Sequence, residues 1–197
     1  MYKRQVASSL NPSKYGQTVS FTANVTAAAP GAGTPTGTVQ FAIDGSAFGS
    51  PVTLVSGSAT SGSISTLAEG THTVTAVYSG ATDFVTSTGT LNGGQVVNQA
   101  STTTTVASSL NPSTYGQSVT FTATITPQYG GQASGTVTFK DGSTTLGSAA
   151  VSSNAASLTT SSLAAGTHSI TAVYSGNSNF TGSTSNTLDV YKRQVQD

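Results

Sequence analysis

One eighteen-residue stretch occurs twice in this chain and limits what the chain can fold into. It reads Leu67-Ala-Glu-Gly70-Thr-His72-Thr-Val74-Thr-Ala76-Val-Tyr78-Ser-Gly80-Ala-Thr-Asp83-Phe84. Its twin reads Leu163-Ala-Ala-Gly166-Thr-His168-Ser-Ile170-Thr-Ala172-Val-Tyr174-Ser-Gly176-Asn-Ser-Asn179-Phe180, with twelve of eighteen positions identical. Self-similarity of this length is the mark of a tandem repeat. Within it His168, Ile170, Ala172 and Tyr174 alternate with Ser169, Thr171 and Val173, and the copy at His72, Val74, Ala76 and Tyr78 does the same. Period two makes each a strand with one face turned inward.

Ahead of each strand stands Leu-x-x-Gly-x-His: Leu67, Gly70 and His72 in the first copy, Leu163, Gly166 and His168 in the second. The glycine permits a sharp backbone corner. This arrangement has the form of the tyrosine corner of β-sandwiches, in which a Tyr two residues before a buried core position bonds back to upstream backbone. Here histidine takes the Tyr position, and one imidazole nitrogen can make the same kind of bond. These six residues are read as structural corner residues.

The repeat extends well beyond this stretch. Residues 7–13, Ala-Ser-Ser-Leu-Asn-Pro-Ser, recur unchanged at 107–113, an offset of 107 − 7 = 100, and Tyr15-Gly16-Gln17 recurs as Tyr115-Gly116-Gln117. At the corner the offset is 168 − 72 = 96, so the first copy is longer in between. The extra length falls in residues 27–35 and 46–51, both loop-like, where insertions cost little.

Each copy offers about seven short strands. In the second, a Thr-rich opening at Ser101–Val106 precedes Asn111-Pro112, and Pro cannot donate a ladder bond. Val119, Phe121, Ala123 and Ile125 then alternate with threonine, Gly135–Phe139 follows, and Asp141-Gly142 is a hairpin signal. Leu146–Val151 and Ala155–Leu163 are weaker strands, followed by the His168 strand and Ser183–Val190. The first copy matches, with Val19, Phe21, Ala23 and Val25, then Val39 and Phe41, Asp44-Gly45, Val52–Val55, Ser58–Leu67, the His72 strand and Gln95–Asn98. No stretch of useful length has a period of 3.6.

The chain therefore reads as all-β, two tandem immunoglobulin-like β-sandwiches of about seven strands each. The expected division is 1-98, then 99-190, then an artefactual or disordered tail at 191-197. The first core is expected to contain Val19, Phe21, Val25, Val39, Phe41, Leu67, Val74, Ala76 and Tyr78. The second is expected to contain Val119, Phe121, Ile125, Val137, Phe139, Leu163, Ile170, Ala172 and Tyr174. The short junction at 93–103 passes the last strand of one domain almost directly into the next and carries no carboxylate for a calcium clamp.

Composition narrows the function classes. Of 197 residues, 35% are hydrophobic and only 6% charged, a balance unlike that of a disordered chain. With no cysteine, no disulfide braces either domain. Net charge is +0, so no electrostatic footprint for nucleic acid exists. No apolar run reaches the roughly eighteen residues of a spanning helix, so no membrane insertion is expected.

The ends are unusual. Tyr2-Lys3-Arg4-Gln5-Val6 recurs as Tyr191-Lys192-Arg193-Gln194-Val195, at a spacing of 191 − 2 = 189 that fits no internal period. Asp189–Gln194 resembles the translation of a transposon-end adapter used in preparing sequencing libraries. Both blocks read as assembly scars, the alternative being a genuine repeat. On the scar reading the chain is an internal piece of a longer protein.

The motifs Asn-Pro-Ser-x-Tyr-Gly-Gln-x-Val-x-Phe-Thr-Ala, Gly-Thr-Val-x-Phe and Leu-Ala-x-Gly-Thr-His-x-[Val/Ile]-Thr-Ala-Val-Tyr-Ser-Gly-x-x-x-Phe together resemble the bacterial Ig-like domain of group 3. The resemblance covers roughly residues 7–190. It implies immunoglobulin-like sandwiches in long tandem arrays on exported or surface-attached bacterial proteins, with neighbouring Ig-like repeats of the same chain as partners. It carries no catalytic residues to transfer, and against it the first strand of domain one is expected to be truncated, with the terminal block in its place.

Reactive groups are sparse. His72 and His168 are the only histidines, and no Asp, Glu or Cys stands beside both of them in sequence to complete a metal site. Asp44 and Asp141 precede glycine and read as turn formers. Asp83, which aligns with Asn179, reads as a local backbone acceptor. Glu69 aligns with Ala165 and is not repeated. No paired carboxylates, nucleophile elbow or phosphate loop is present. Lys14 and Lys140 do not occupy equivalent positions, as an intramolecular isopeptide bond repeated in each domain would require. No catalytic residue, metal or cofactor is expected.

Three functional readings follow. The first is a non-enzymatic spacer or stalk on a secreted or surface-bound bacterial protein. The second is an adhesive module for a host protein or glycan, for which Phe48 and Tyr129 are the aromatics unmatched between copies. The third is an accessory domain of a polysaccharide-degrading enzyme.

Overall fold

A computed structural model describes residues 3–27 and 30–194, with side chains from Gln5 onward. The chain divides into two compact units, Met1–Asn98 and Gln99–Asp197. Among the described residues there is no helix.

In the first unit the strands are β1 (Lys3–Ser8), β2 (Ser13–Lys14), β3 (Phe21–Thr26), β4 (Thr38–Ile43), β5 (Ser46–Thr53), β6 (Ser58–Thr60), β7 (Gly70–His72), β8 (Val74–Tyr78), β9 (Ser87–Thr90) and β10 (Gln95–Asn98). One sheet runs β1-β3-β6. The facing layer is built from β5-β4-β8-β9 and the short set β2-β10-β7. The alternation read from sequence sets the packing. Phe21, Ala23 and Val25 of β3 point inward and meet Val39 and Phe41 of β4 and Val74, Ala76 and Tyr78 of β8. Leu67 packs against this core half-buried. Each fully buried large apolar side chain contributes about 1.5–3 kcal/mol.

The second unit repeats the plan with β11 (Thr102–Ser108), β12 (Ser113–Thr114), β13 (Val119–Pro127), β14 (Thr136–Asp141), β15 (Thr144–Ala150), β16 (Ala155–Thr160), β17 (Gly166–Tyr174), β18 (Ser183–Thr184) and β19 (Leu188–Arg193). Its sheets run β11-β13-β16 and β12-β19-β17-β14-β15, with β18 also paired to β17. Every residue expected in this core is buried, and Phe180, Ala133 and Val190 join it. The count exceeds seven per unit because short pairings such as β2 and β12 form separate segments and because the corner strand of the first unit breaks at Thr73.

Three expectations change. Residues 46–51 are not a loop: they belong to β5, an edge strand paired to β4 with Phe48 opposite Phe41. Pro51 is tolerated there because an edge strand has one side without ladder bonds. Residues 27–35 carry no strand in their described part, and 28–29 lie outside the described residues.

The first strand is also present. Gln5 and Val6 of the terminal block run on into the repeat as β1, paired to β3 from Lys3↔Thr26 to Ser8↔Phe21, and Val6 fills the core. A sandwich edge needs a partner strand with one inward apolar side chain, and Val6 supplies it.

At the other end, β19 continues through Tyr191, Lys192 and Arg193, inside the segment set apart as a tail. It pairs with β17 and, in parallel, with β12. The closing strand is held by backbone ladder bonds, which any non-proline residue can make. Residues 2 and 195–197 lie outside the described residues.

Candidate functional site

His168 is the third residue of β17, a central strand of the second unit's larger sheet, while His72 ends the short β7 and is separated by Thr73 from the central strand β8. Gly70 (φ 138°) and Gly166 (φ 133°) begin these strands in a backbone region open essentially to glycine, which turns the chain sharply out of the preceding loop. Two residues later the side chain folds back over that loop. The Nε2–H of His72 donates to the carbonyl of Ala68 at 2.9 Å, and that of His168 donates to Ala164 at 2.9 Å. Leu163, three residues before Gly166, is buried, and Leu67 is half-buried.

The other ring nitrogen has a partner that sequence adjacency did not reveal. His72 Nδ1 lies 2.7 Å from Asp44 Oδ2, and His168 Nδ1 lies 2.6 Å from Asp141 Oδ2. Asp44 and Asp141 do close hairpins, but their carboxylates face the imidazoles. Antiparallel pairing of β4 with β8 and of β14 with β17 brings these turns beside the corner from 28 and 27 residues upstream. The second carboxylate oxygen accepts the next backbone N–H, Thr73 at 2.8 Å and Ser169 at 3.0 Å. The two turns differ by one residue of register, since Ile43 faces Val74 whereas Asp141 itself faces Ile170. The carboxylate still reaches the same nitrogen. One signal was available: the Asp-Gly and the His both recur in both copies.

The electrostatics follow from these bonds. Burial pushes the His72 imidazole down, but the Ala68 carbonyl and then the Asp44 carboxylate outweigh it and hold the group above its ordinary value. His168 is likewise raised. Burial lowers it, the Ala164 carbonyl and Asp141 raise it further, and the charge of Lys192 works weakly against them. The hydrogen bond from His72 holds the Asp44 carboxyl below the usual carboxylate range, helped by the Thr73 N–H and opposed by burial.

Tyr78 and Tyr174 make a separate back-bond. Their hydroxyls donate to the carbonyls of Thr36 and Ser134 at 2.5 and 2.7 Å, and burial pushes the Tyr174 phenol up. In the loop after this strand, Asn177, unremarked in the sequence, accepts the N–H groups of Asn179 and Phe180 at 2.8 and 2.9 Å.

Each corner has one His and one Asp but no nucleophile held against the imidazole, because both ring nitrogens are spent on Asp and a carbonyl. No group of three metal-ligating side chains comes together among the described residues. An open hollow beside the second corner is lined by Thr114, Ala165, Gly166, Tyr191, Lys192, Arg193 and Gln194, without a histidine or carboxylate. No helix is long and apolar enough to cross a membrane, among the described residues. Lys14 is exposed. Phe48 packs half-buried on the first core, while Tyr129 is exposed.

Similarity to known proteins agrees with this architecture. No curated protein matches the sequence. Among solved structures, domains A168–A170 of titin match over 98% of this chain and 65% of theirs, at 14% identity and a TM-score of 0.53. The fibronectin(III)-like modules of Clostridium thermocellum CbhA match over 98% and 95%, at 16% identity and a TM-score of 0.42. The Escherichia coli adhesin FdeC matches over 97% and 63%, at 16% identity and a TM-score of 0.37. The titin likeness is one of fold alone. The family model for the bacterial Ig-like domain (group 3) matches at residues 6–97 and again at 104–191. The chain thus belongs to the bacterial Ig-like domain (group 3) family and carries two copies of that domain in tandem.

Proposed function

We propose that these two domains are a non-enzymatic spacer within a larger exported or surface-attached bacterial protein, where neighbouring Ig-like repeats hold a distal part away from the cell. The observation that carries this reading is the use to which both repeats put their reactive groups. Each His–Asp pair is consumed in fastening a corner to the sheet, so we read Leu67, Gly70, His72, Leu163, Gly166 and His168 as structural corner residues. The low charge and many Ser and Thr hydroxyls keep the surface wet without strong nonspecific attraction.

Single-molecule stretching of the full chain tests the reading. Two unfolding events are expected, each releasing about 30 nm, the extended length of some hundred residues less the folded span. Specific micromolar binding of a host protein or glycan by the same chain, or turnover of a polysaccharide, would overturn a pure spacer.

The adhesive reading needs an exposed aromatic cluster in one repeat only. Tyr115, Tyr129 and Tyr191 are exposed, all in the second unit. Tyr115 has a counterpart in Tyr15, and Tyr191 lies in the terminal block, which leaves Tyr129 without a cluster.

A further inference from the structure

Each corner histidine is bonded on both ring nitrogens to groups that only accept. A backbone carbonyl has no proton to give, so Nε2 must carry one toward Ala68 or Ala164. On the other side, Asp44 and Asp141 present one oxygen to Nδ1 while the second oxygen receives a backbone N–H. A carboxylate fits that pattern, and Nδ1 must then carry a proton as well. A neutral ring keeping its bond to the carbonyl would aim the bare Nδ1 lone pair at a carboxylate 2.6–2.7 Å away.

We propose that both domains are clamped by a proton: each corner is built for the imidazolium, so a protein made of such repeats resists unfolding best in mildly acidic surroundings and loosens as the medium turns alkaline.

Among the described residues the charged groups around each ring are few. His72 faces Asp44 from the β4–β5 turn, Glu69 follows Ala68 on its own loop, and its ladder partner on β10 is the neutral Gln95. His168 faces Asp141 from the end of β14 and Lys192 from β19. The raised imidazoles agree in direction. A group whose folded value lies above its unfolded value contributes stability that is complete below the unfolded value, about 6.5 for histidine. That stability is lost as pH rises through the folded value. Across that interval the folded-to-unfolded ratio falls by up to about tenfold per pH unit for each histidine. The lowered Asp44 bounds the effect on the acid side, where its contribution is lost as pH falls through its depressed value.

The test is an NMR titration of both imidazoles in the full chain, paired with urea unfolding at pH 5.5 and 8.5. Both rings are expected to titrate above 6.5, and the unfolding midpoint to be higher at pH 5.5. In D44N and D141N the corresponding ring should titrate lower, and in the double variant H72Q/H168Q the two midpoints should coincide. Should those variants fail to fold, the wild-type titration still decides. Rings titrating at or below 6.5, or a midpoint higher at pH 8.5, would overturn the clamp.

Discussion

The closing strands of the two units occupy the same place and are built from different residues. Pairing with the corner strand sets the equivalence: Gln95, Val96 and Val97 of β10 lie across from His72, Thr71 and Gly70, while Val190, Tyr191 and Lys192 of β19 lie across from His168, Thr167 and Gly166. In the first unit the buried Gln95 donates to the carbonyl of Leu10 at 3.0 Å and to Ser13 Oγ at 3.1 Å, and accepts from Ser8 at 2.5 Å. The next inward position is Val97, in the core. In the second unit Val190 replaces the glutamine, and Ser113 Oγ, the counterpart of Ser13, is buried without a partner among the described residues. Lys192 replaces Val97, is 0% exposed, and bonds through its ammonium to the carbonyls of Thr114 and Gln117. No carboxylate pairs with it among the described residues. The backbone frame is indifferent to this exchange, whereas the polar bookkeeping is not.

If the two cores are equivalent, truncating them should hurt equally. Phe21 and Phe121 are both fully buried on matching strands. Phe21→Ala and Phe121→Ala should each destabilise their own unit by about 3–5 kcal/mol. Chemical denaturation following each unit separately would show it. A cost in one unit at least twice that in the other would break the equivalence.

Lys192 should be the largest difference between the units. A buried cation held only by carbonyls is costly, and replacing it with an apolar residue of fitting shape commonly stabilises. Lys192→Val copies what the first unit already has, and Thr114 keeps its bond from the Gln117 N–H at 3.0 Å. The second unit should gain about 1–3 kcal/mol, read as a rise in its denaturation midpoint. A loss would mean that the ammonium bonds outweigh the burial. A gain would also sit well with a terminal block foreign to the repeat.

The sandwich and its inward faces were legible because they depend on period-two alternation and on a copied motif. The Asp44–His72 and Asp141–His168 pairs were not, because strand pairing, not sequence distance, brings the partners together. Asp-Gly before a strand signals a turn so strongly that the carboxylate's second use was hidden. Residues 46–51 of β5 were missed, only its end at Val52 and Thr53 being read as strand, because glycine and proline on an edge strand look like a loop. The run of β19 on through Tyr191, Lys192 and Arg193 was missed because backbone ladder bonds recruit a segment whatever its side chains are.

Gln95→Val tests the polar side of the comparison more gently. It converts the first closing strand to the second's pattern and should strand Ser13 Oγ as Ser113 is stranded. Leaving a buried hydroxyl unpaired costs about 1–3 kcal/mol, and valine's own burial returns part of this. The first unit should therefore lose about 1 kcal/mol, and a second substitution, Ser13→Ala, should recover most of it. If Ser13→Ala recovers nothing, the bond Gln95 accepts from Ser8 and the one it donates to Leu10 carry the effect instead.

The smallest effect expected is also the most specific. Lys192 lies beside only one of the two corners, and its charge opposes protonation of His168. In Lys192→Val the His168 ring should titrate higher than in the wild type while His72 stays where it is, since Val97 already occupies the matching position. An NMR titration of the variant reads both rings at once, so His72 serves as the internal reference. An unmoved His168 would mean that solvent screens the lysine from the ring, and that the two corners differ in their turns alone.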